Sequence, residues 1–548
     1  MSDALDPVAL AVFQNAMTSI AEEMGAALRR SSVSPNIKER RDYSCAIFDD
    51  EAQVIAMGDH MPVHLGSMPM SVAAAIHSLT LNSNDIVILN DPYAGGTHLP
   101  DITMVMPVFV STEDRPSFYV ATRAHHSDVG GMFAGSMGPA REIFQEGIRI
   151  PPIHFVRSGA IQTDVLRLIL LNVRTPIERE GDLAAQIGAC RIGEQRLRQL
   201  CERSTPTHLR HLSDQLLDHS ERLVRAELRS LSAGEYVAED FLDDDGVSPD
   251  RIRIAVTLRI DPLAETLEVD FSGTSNQVKG SVNAVRAITL SACLYVLRCL
   301  LPNGSPTTAG TLRPLRLMTP RCSVVDAEPP AAVAGGNVET SQRIVDTILR
   351  ALAQAAPSRI PAASAGTMSN LTIGGLDSRT RIPFTYYETI AGGMGGGPLR
   401  EGTSGVHTHM TNSLNTPIEA LEFAYPLRMK RYGYRSGSGG SGTFRGGDGL
   451  IREFELLSDS QVTLLCDRQK SLPYGLGGGS AGAPGRVMAL LPGESVSTLL
   501  AAKSSRYFPA DTVLRIETPG GGGWGPGLLH EGSRESEKAS NSSAEIRG

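Results

Sequence analysis

The stretch LNDPYAGGTHLPDIT, Leu89 to Thr103, follows directly on the apolar run DIVIL and carries Asp91, His98 and Asp101 around the Gly95-Gly96 pair. A short apolar run bounded by Asn, Asp, Pro and Gly predicts a buried strand that opens into a loop at its end. Two carboxylates and an imidazole at such an end admit two readings. They are turn residues bonding backbone amides, or they are ligands for a divalent cation. Pro100, between His98 and Asp101, excludes a regular helix, so the pair would have to converge through a turn.

Outward from this stretch, YSCAIFD, AQVIAMGD, ITMVMPVFV and SFYVATRA predict further strands, and PMSVAAAIHSL a helix. Upstream, Asp6-Pro7 has the form of an N-cap with proline at the first helical position, and Phe13, Met17, Ile20, Met24 and Leu28 recur at helical spacing. From Gly181 to Leu231 the pattern is helical with a break near Pro206, predicting a packed helical pair. RIRIAVTLRI and ETLEVDFSG alternate like a hairpin with one wet face, and NVETSQRIVDTILRALAQAAP predicts a helix capped by Thr340 or Ser341. Glycine then becomes dense, in AGGMGGGP, YGYRSGSGGSGTFRGGDGL, YGLGGGSAGAPG and PGGGGWGPG. None of these runs leads into the Lys-Ser/Thr of a Walker motif, so tight turns and contact with another subunit account for them better than a phosphate cradle. The expected fold class is α+β, a mixed multi-lobed fold. Its N-terminal α/β lobe covers residues 1–233, a β-rich, glycine-dense lobe with capped helices covers 234–527, and a polar tail expected to be disordered covers 528–548.

A chain of 548 residues can bury a core for two or more structural layers. Its net charge of -9, from 51 Lys+Arg against 60 Asp+Glu, is spread without a basic stripe and argues against nucleic acid as a partner. The seven cysteines are odd in number and lack CxxC spacing, which suits reduced thiols in the cytoplasm better than a disulfide framework or a thiolate zinc site. No apolar run reaches the length of a membrane span and the N-terminus lacks a cationic leader, so a soluble cytoplasmic protein with no membrane partner is expected.

A second His/Asp group, His125-His126-Ser127-Asp128 ahead of Gly130-Gly131, lies at the end of the strand SFYVATRA. Either group alone is explained as a turn, but two of the same composition favour a site for Zn, Mn or Fe(II), which imidazole and carboxylate suit. His60 and His64 have the spacing of a helical zinc pair, yet Pro62 between them argues for a loop that supports ligands instead. His407 and His409 would share one face of a strand, with Asn412, Asn415, Glu419 and Glu422 beyond, as a polar interface or a pocket. Neither a GxSxG elbow nor a cysteine-nucleophile context is present.

With these residues in view, the sequence resembles the hydantoinase B family, whose relatives include N-methylhydantoinase B subunits, the corresponding half of ATP-dependent 5-oxoprolinase, caprolactamase and the larger subunit of acetone-type carboxylases. The resemblance is carried in order by ERRDYSCAIFD, MPVHLGSM, NDPYAGGTHLPD, AHHSDVGG, EIFQEGIRIPP, NVRTPIEREGDLAAQ, DFSGTSNQVKGSVNA, GNVETSQRIVD, HMTNSLNTPIE and PGGGGWG, from near Asp6 to about Gly527. It implies a hetero-oligomeric half-enzyme whose A-type partner binds ATP and activates the carbonyl of a small cyclic amide by phosphorylation. It also implies a divalent metal, Zn or Mn or else Fe, held by Asp42, His98, Asp101 and His125, with His126 the substitute for His125. Such a metal would activate water for ring opening, with Asp128 and His126 orienting an imidazole or acting as base. The reading placed first is therefore hydrolysis of a hydantoin, 5-oxoproline or related lactam. A carboxylase subunit that takes carboxyl-phosphate at the same metal, and a non-catalytic scaffold for the A-type chain, are the alternatives.

Overall fold

A computed structural model describes residues 6–58, 60–110 and 114–527; the tail expected to be disordered lies outside them. Seven strands build the first sheet: β1 (Tyr43–Phe48), β2 (Val54–Met57), β3 (Ile86–Leu89), β4 (Asp101–Val108), β5 (Phe118–His125), β6 (Ile153–Arg157) and β7 (Ala160–Ile161). Their spatial order is β2-β1-β5-β4-β3-β6-β7 and every pairing is antiparallel. The five strands expected from the sequence are β1 to β5, and they are buried along their whole length. Both faces are covered, which is why these runs are continuously apolar. Cys45, Ile47, Ile102, Met104 and Val120 face the helices Pro7–Ser31 and Pro176–Arg203, whereas Ala46, Phe48, Val105 and Ala121 face the helix Ser67–Ser78.

Asp6 caps the first helix as expected, its Oδ1 accepting from the amides of Val8 and Ala9. The helical pair is Pro176–Arg203 and Pro206–Arg229, broken where Pro206 restarts the chain. A strand begins at Gly234, and Gly234–Leu242, Ile252–Asp261, Thr266–Asp270 and Leu315–Met318 form a second sheet containing the expected hairpin. Two further sheets, one around Asn370–Leu376 and one around Gly449–Leu456, complete the second half. The largest apolar core runs from Leu10 through Leu258 and Ile344 to Leu465, so residues on both sides of Gly234 share it. Among the described residues no helix is long and apolar enough to cross a membrane, and all seven cysteines are free.

The helix expected to be capped by Thr340 or Ser341 starts earlier. A π-helical turn, Gly336–Thr340, runs straight into the helix Ser341–Ala355. Neither hydroxyl caps it: Ser341 Oγ bonds the Asn337 carbonyl, and Thr340 Oγ1 bonds that of Val282. This turn is braced from the first half by Glu146, whose Oε1 accepts from the amides of Val333 and Ala334, each at 2.9 Å. Burial pushes the Glu146 carboxyl from its ordinary 4.5 up to about 8, against the pull of those two amides.

The glycine runs pack against one another within the chain. The run Gly520–Gly523 is enclosed by neighbouring backbones. A Cβ on these four residues would lie 2.0, 2.1, 2.0 and 2.1 Å from the carbonyl oxygens of Ser438, Met394, Tyr474 and Ser441, in that order. Amides cross between the runs, from Gly522 to Ala363, from Gly396 to Gly522, from Gly440 to Gly521 and from Gly523 to Ser480, at 2.8–2.9 Å. Only glycine permits this spacing, because the partner occupying the place of each side chain is another main chain.

Two outcomes follow. Gly521→Ala is expected to lower the melting temperature clearly, by a free energy of about 1–3 kcal/mol or more, whereas Gly433→Ala, where nothing lies within 4 Å of an added Cβ, leaves it within error in the same thermal scan. Folding favours protonation of Glu146, so its contribution is present in full below about pH 4.5 and is lost as the pH rises through about 8. Glu146→Gln, which mimics the protonated acid, should therefore be more stable than the parent at pH 9 and lose that advantage by pH 4.5 in denaturant titrations.

Candidate metal centre

Three neighbouring strands of the first sheet end together. Asp101 opens β4 directly opposite His125, the last residue of β5. On the other side of β5, the His125 amide donates to the carbonyl of Asp42, just ahead of β1, at 3.0 Å. His98 enters from the turn before β4. Gly95 makes that turn possible, with φ of 88° and the Met70 carbonyl carbon 2.4 Å from where a Cβ would stand. Asp91 takes the bland role: its carboxylate accepts from the Tyr93 amide and from Arg149, at 3.0 and 2.8 Å.

His98, Asp101 and His125 are buried and present one ligand atom each, all within 4.8 Å of one another. His98 Nε2 lies 3.3 Å from Asp101 Oδ2, and the two imidazoles meet edge to face with centroids 4.9 Å apart. Burial alone would raise the Asp101 carboxyl, but His98 and His64 beside it outweigh that and hold it well below the usual carboxylate range. Burial pushes His125 well below its usual range, so this imidazole is neutral near pH 7. His98 Nδ1 and His125 Nε2 are buried without a hydrogen-bond partner among the described residues. Asp42 stands outside this triad of ligand atoms, with its Oδ2 3.9 Å from Arg40. Burial, partly offset by Arg40, pushes its carboxyl up to about 7.

His126 and Asp128 turn to other partners. His126 follows His125 on the strand path and so faces the opposite side; its Nε2 lies 2.9 Å from Gln186 Oε1 on the helix Pro176–Arg203, and burial lowers it to about 4. Asp128 accepts from the Arg174 side chain at 2.8 Å and the Arg174 amide at 2.7 Å, and from the amides of Gly130 and Gly135. His64 sits in a one-turn 3-10 helix, Pro62–His64, with Nε2 3.3 Å from Asp101 Oδ2 and Nδ1 2.8 Å from Ser44 Oγ. His60 contacts the Cys45 amide through Nδ1 at 3.2 Å. The segment holding His407 and His409 is irregular rather than a strand, and His409 has a positive φ of 60°.

Several supporting residues carry no local signal. Asn36 Nδ2 donates to the His125 carbonyl at 2.6 Å and lies 3.2 Å from His125 Nδ1. Tyr387 stacks on His125 at 4.2 Å, with the Arg40 guanidinium 4.9 Å from the same phenol ring. Asn337, from the π-helical turn, reaches His98 Nε2 at 3.2 Å, and Thr97 donates to Asp101. Asn36, Asn337 and Tyr387 arrive from outside the strand-end motifs, so only the fold brings them in.

Residues 6–527 match the family described as Hydantoinase B/oxoprolinase. Over 95% of its length the chain is 37% identical to 5-oxoprolinase 1 of Arabidopsis thaliana, of which it spans only 42%. Over 96% of its length it is 30% identical to a Pseudomonas sp. chain provisionally named as the B chain of a D-/L-hydantoinase, covering 91% of that chain. The crystal structure of ATP-dependent caprolactamase from Pseudomonas jessenii matches it with a TM-score of 0.89 at 26% identity, over 98% of this chain and 94% of that one.

Elemental analysis after dialysis against zinc or manganese is expected to find near-stoichiometric metal in the parent chain and in His126→Gln, and little in His98→Ala combined with Asp101→Ala. Metal retained by the double variant would remove the site from these residues.

Proposed function

The chain belongs to the hydantoinase B/oxoprolinase family, and on that premise we propose that it is the B-type subunit of an ATP-dependent cyclic-amide hydrolase, working in the cytoplasm with a separate ATP-binding A-type chain. The observation that carries this reading is the buried group of His98, Asp101 and His125 at the shared end of β1, β5 and β4. A two-chain enzyme is supported by the likeness to a chain provisionally named as the B chain of a hydantoinase, a name that implies a companion chain.

Two imidazoles with unpartnered nitrogens and one carboxylate kept charged fit zinc or manganese. His98, Asp101 and His125 would hold the cation, with Asp42 the fourth candidate. When bound, it would supply Lewis-acid polarisation of an oxygen, of water or of the activated carbonyl. This chain's own residues prepare the place. His64 and Thr97 fix Asp101 Oδ2, Asn36 and the Tyr387 ring fix His125, and Asn337 meets His98. Burial keeps His64 and His125 neutral, the form in which the His125 nitrogen can serve as a ligand. His126 and Asp128 are assigned bracing roles on the strength of their bonds to Gln186 and Arg174.

The test is reconstitution with the A-type chain, ATP, the metal, and hydantoin, 5-oxoproline or caprolactam. Ring opening that needs ATP and metal but no bicarbonate is expected, and His98→Ala with Asp101→Ala should lower kcat by about a hundredfold or more while the complex still assembles. Turnover retained in that double variant would make the chain a scaffold, and turnover only with bicarbonate would make it a carboxylase subunit.

A further inference from the structure

The strand Asn370–Leu376 opens on a residue that its sheet does not explain. Asn370 is completely buried, yet neither Oδ1 nor Nδ2 of its side chain has a hydrogen-bond partner among the described residues. A carboxamide left open in the interior costs free energy, so an apolar side chain of like size would serve the sheet better. Ser369, just ahead, adds to that cost with φ of 47°, a conformation that persists only where the surroundings impose it and that clusters at functional sites. The surroundings here include the π-helical turn, since Glu339 Oε1 accepts from the Met368 amide at 3.3 Å.

Tyr387 links Asn370 to the cluster. Its ring stacks on His125 at 4.2 Å, and its hydroxyl lies against the Asn370 side chain without the alignment of a hydrogen bond. Burial holds that hydroxyl protonated, with Asp42 and Asp101 adding to the effect and Arg40 opposing it, so the phenol oxygen lies within the field of both carboxylates. The other imidazole has a similar neighbour. Asn337 Nδ2 lies 3.2 Å from His98 Nε2, and Asn337 Oδ1 is buried without a partner among the described residues.

A carboxamide with both atoms open suits a nitrogen that changes character. In a ring amide the nitrogen is a donor. When the carbonyl oxygen takes a phosphoryl group from ATP, ADP leaves, the nitrogen lone pair forms the second C–N bond, and the N–H proton passes to solvent. The nitrogen is then an acceptor. Oδ1 pairs with the first form, and Nδ2 with the second after a half turn about χ2.

We propose that Asn370 is a specificity residue that binds the scissile nitrogen of the substrate ring, accepting its N–H through Oδ1 before activation and donating to it through Nδ2 afterwards. The inference rests on the cyclic-amide reading above and goes beyond it by naming the group that reads the ring nitrogen. A methylated nitrogen offers no N–H and crowds the carboxamide.

Asn370→Leu in the full, metal-loaded chain separates this role from a structural one. Its melting temperature is expected to equal or exceed the parent's and its metal content to match, while kcat/KM falls at least about tenfold for whichever of hydantoin, 5-oxoproline and ε-caprolactam the reconstituted complex opens. Should leucine not fit, Asn370→Ala removes the same group and carries the same expectation for metal and binding. Ligand-observed NMR with these three rings and the full chain alone should show binding to the parent, its loss in the variants, and at least about tenfold weaker binding once the scissile nitrogen is methylated. Melting lowered in both variants would make Asn370 structural, and lost metal would make it a ligand; either overturns the proposal. So would unchanged binding or kcat/KM, or a parent that binds none of the rings. A parent that binds a ring through Asn370 but opens none in the complex would instead sink the functional reading and leave this contact standing.

Discussion

A carboxylate buried at the start of a central strand must either lose its charge or be surrounded, and Asp101 is surrounded. Removing a charged carboxylate from water costs several kcal/mol or more unless partners replace the water. Here His98, His64 and Thr97 replace it. The glycine turn before β4 brings one imidazole, and the one-turn helix at Pro62 brings the other. The end-to-end alignment of β1, β5 and β4 then adds Asp42 and His125 beside them. Much of the local architecture of the first sheet follows from the need to keep that one group ionised in the dark.

Other buried charges tie distant parts of the chain to this centre. Arg40 reaches from the turn ahead of β1 to Thr389 and Ser413 at 2.7 and 3.2 Å. Arg468 binds Asp240 and Asp346 together, and Asp467 is shared by Arg343 and Lys503. Such pairs roughly repay their desolvation, and breaking one strands its partner. Their contribution is arrangement: each pair specifies which segments meet, so Tyr387 and Asn337 arrive at the imidazoles in one geometry.

Much of the first sheet was legible in the sequence because it is made of uninterrupted apolar strands, and His98, Asp101 and His125 were legible because they mark where those strands stop. The neighbours of the motif were harder. His125 and His126 look alike on the page, but alternation of side chains along the strand sends one to the cluster and the other to the helix Pro176–Arg203. Pro62 correctly excluded an α-helix but could not reveal that a 3-10 turn would deliver His64 to Asp101. Asn36, Asn337 and Tyr387 come from remote segments with no periodicity of their own. The glycine runs concealed the most, since main chain packed on main chain leaves no side-chain pattern to read.

That packing bears on temperature. Where glycine backbones meet through amides and carbonyls, little hydrocarbon is uncovered when they separate, and exposing polar surface lowers heat capacity where exposing apolar surface raises it. The lattice around Gly520–Gly523 therefore draws on attraction that does not fade on cooling as hydrophobic association does. A domain fastened in this way should keep its far edge fastened in the cold, when its oily interior is at its weakest.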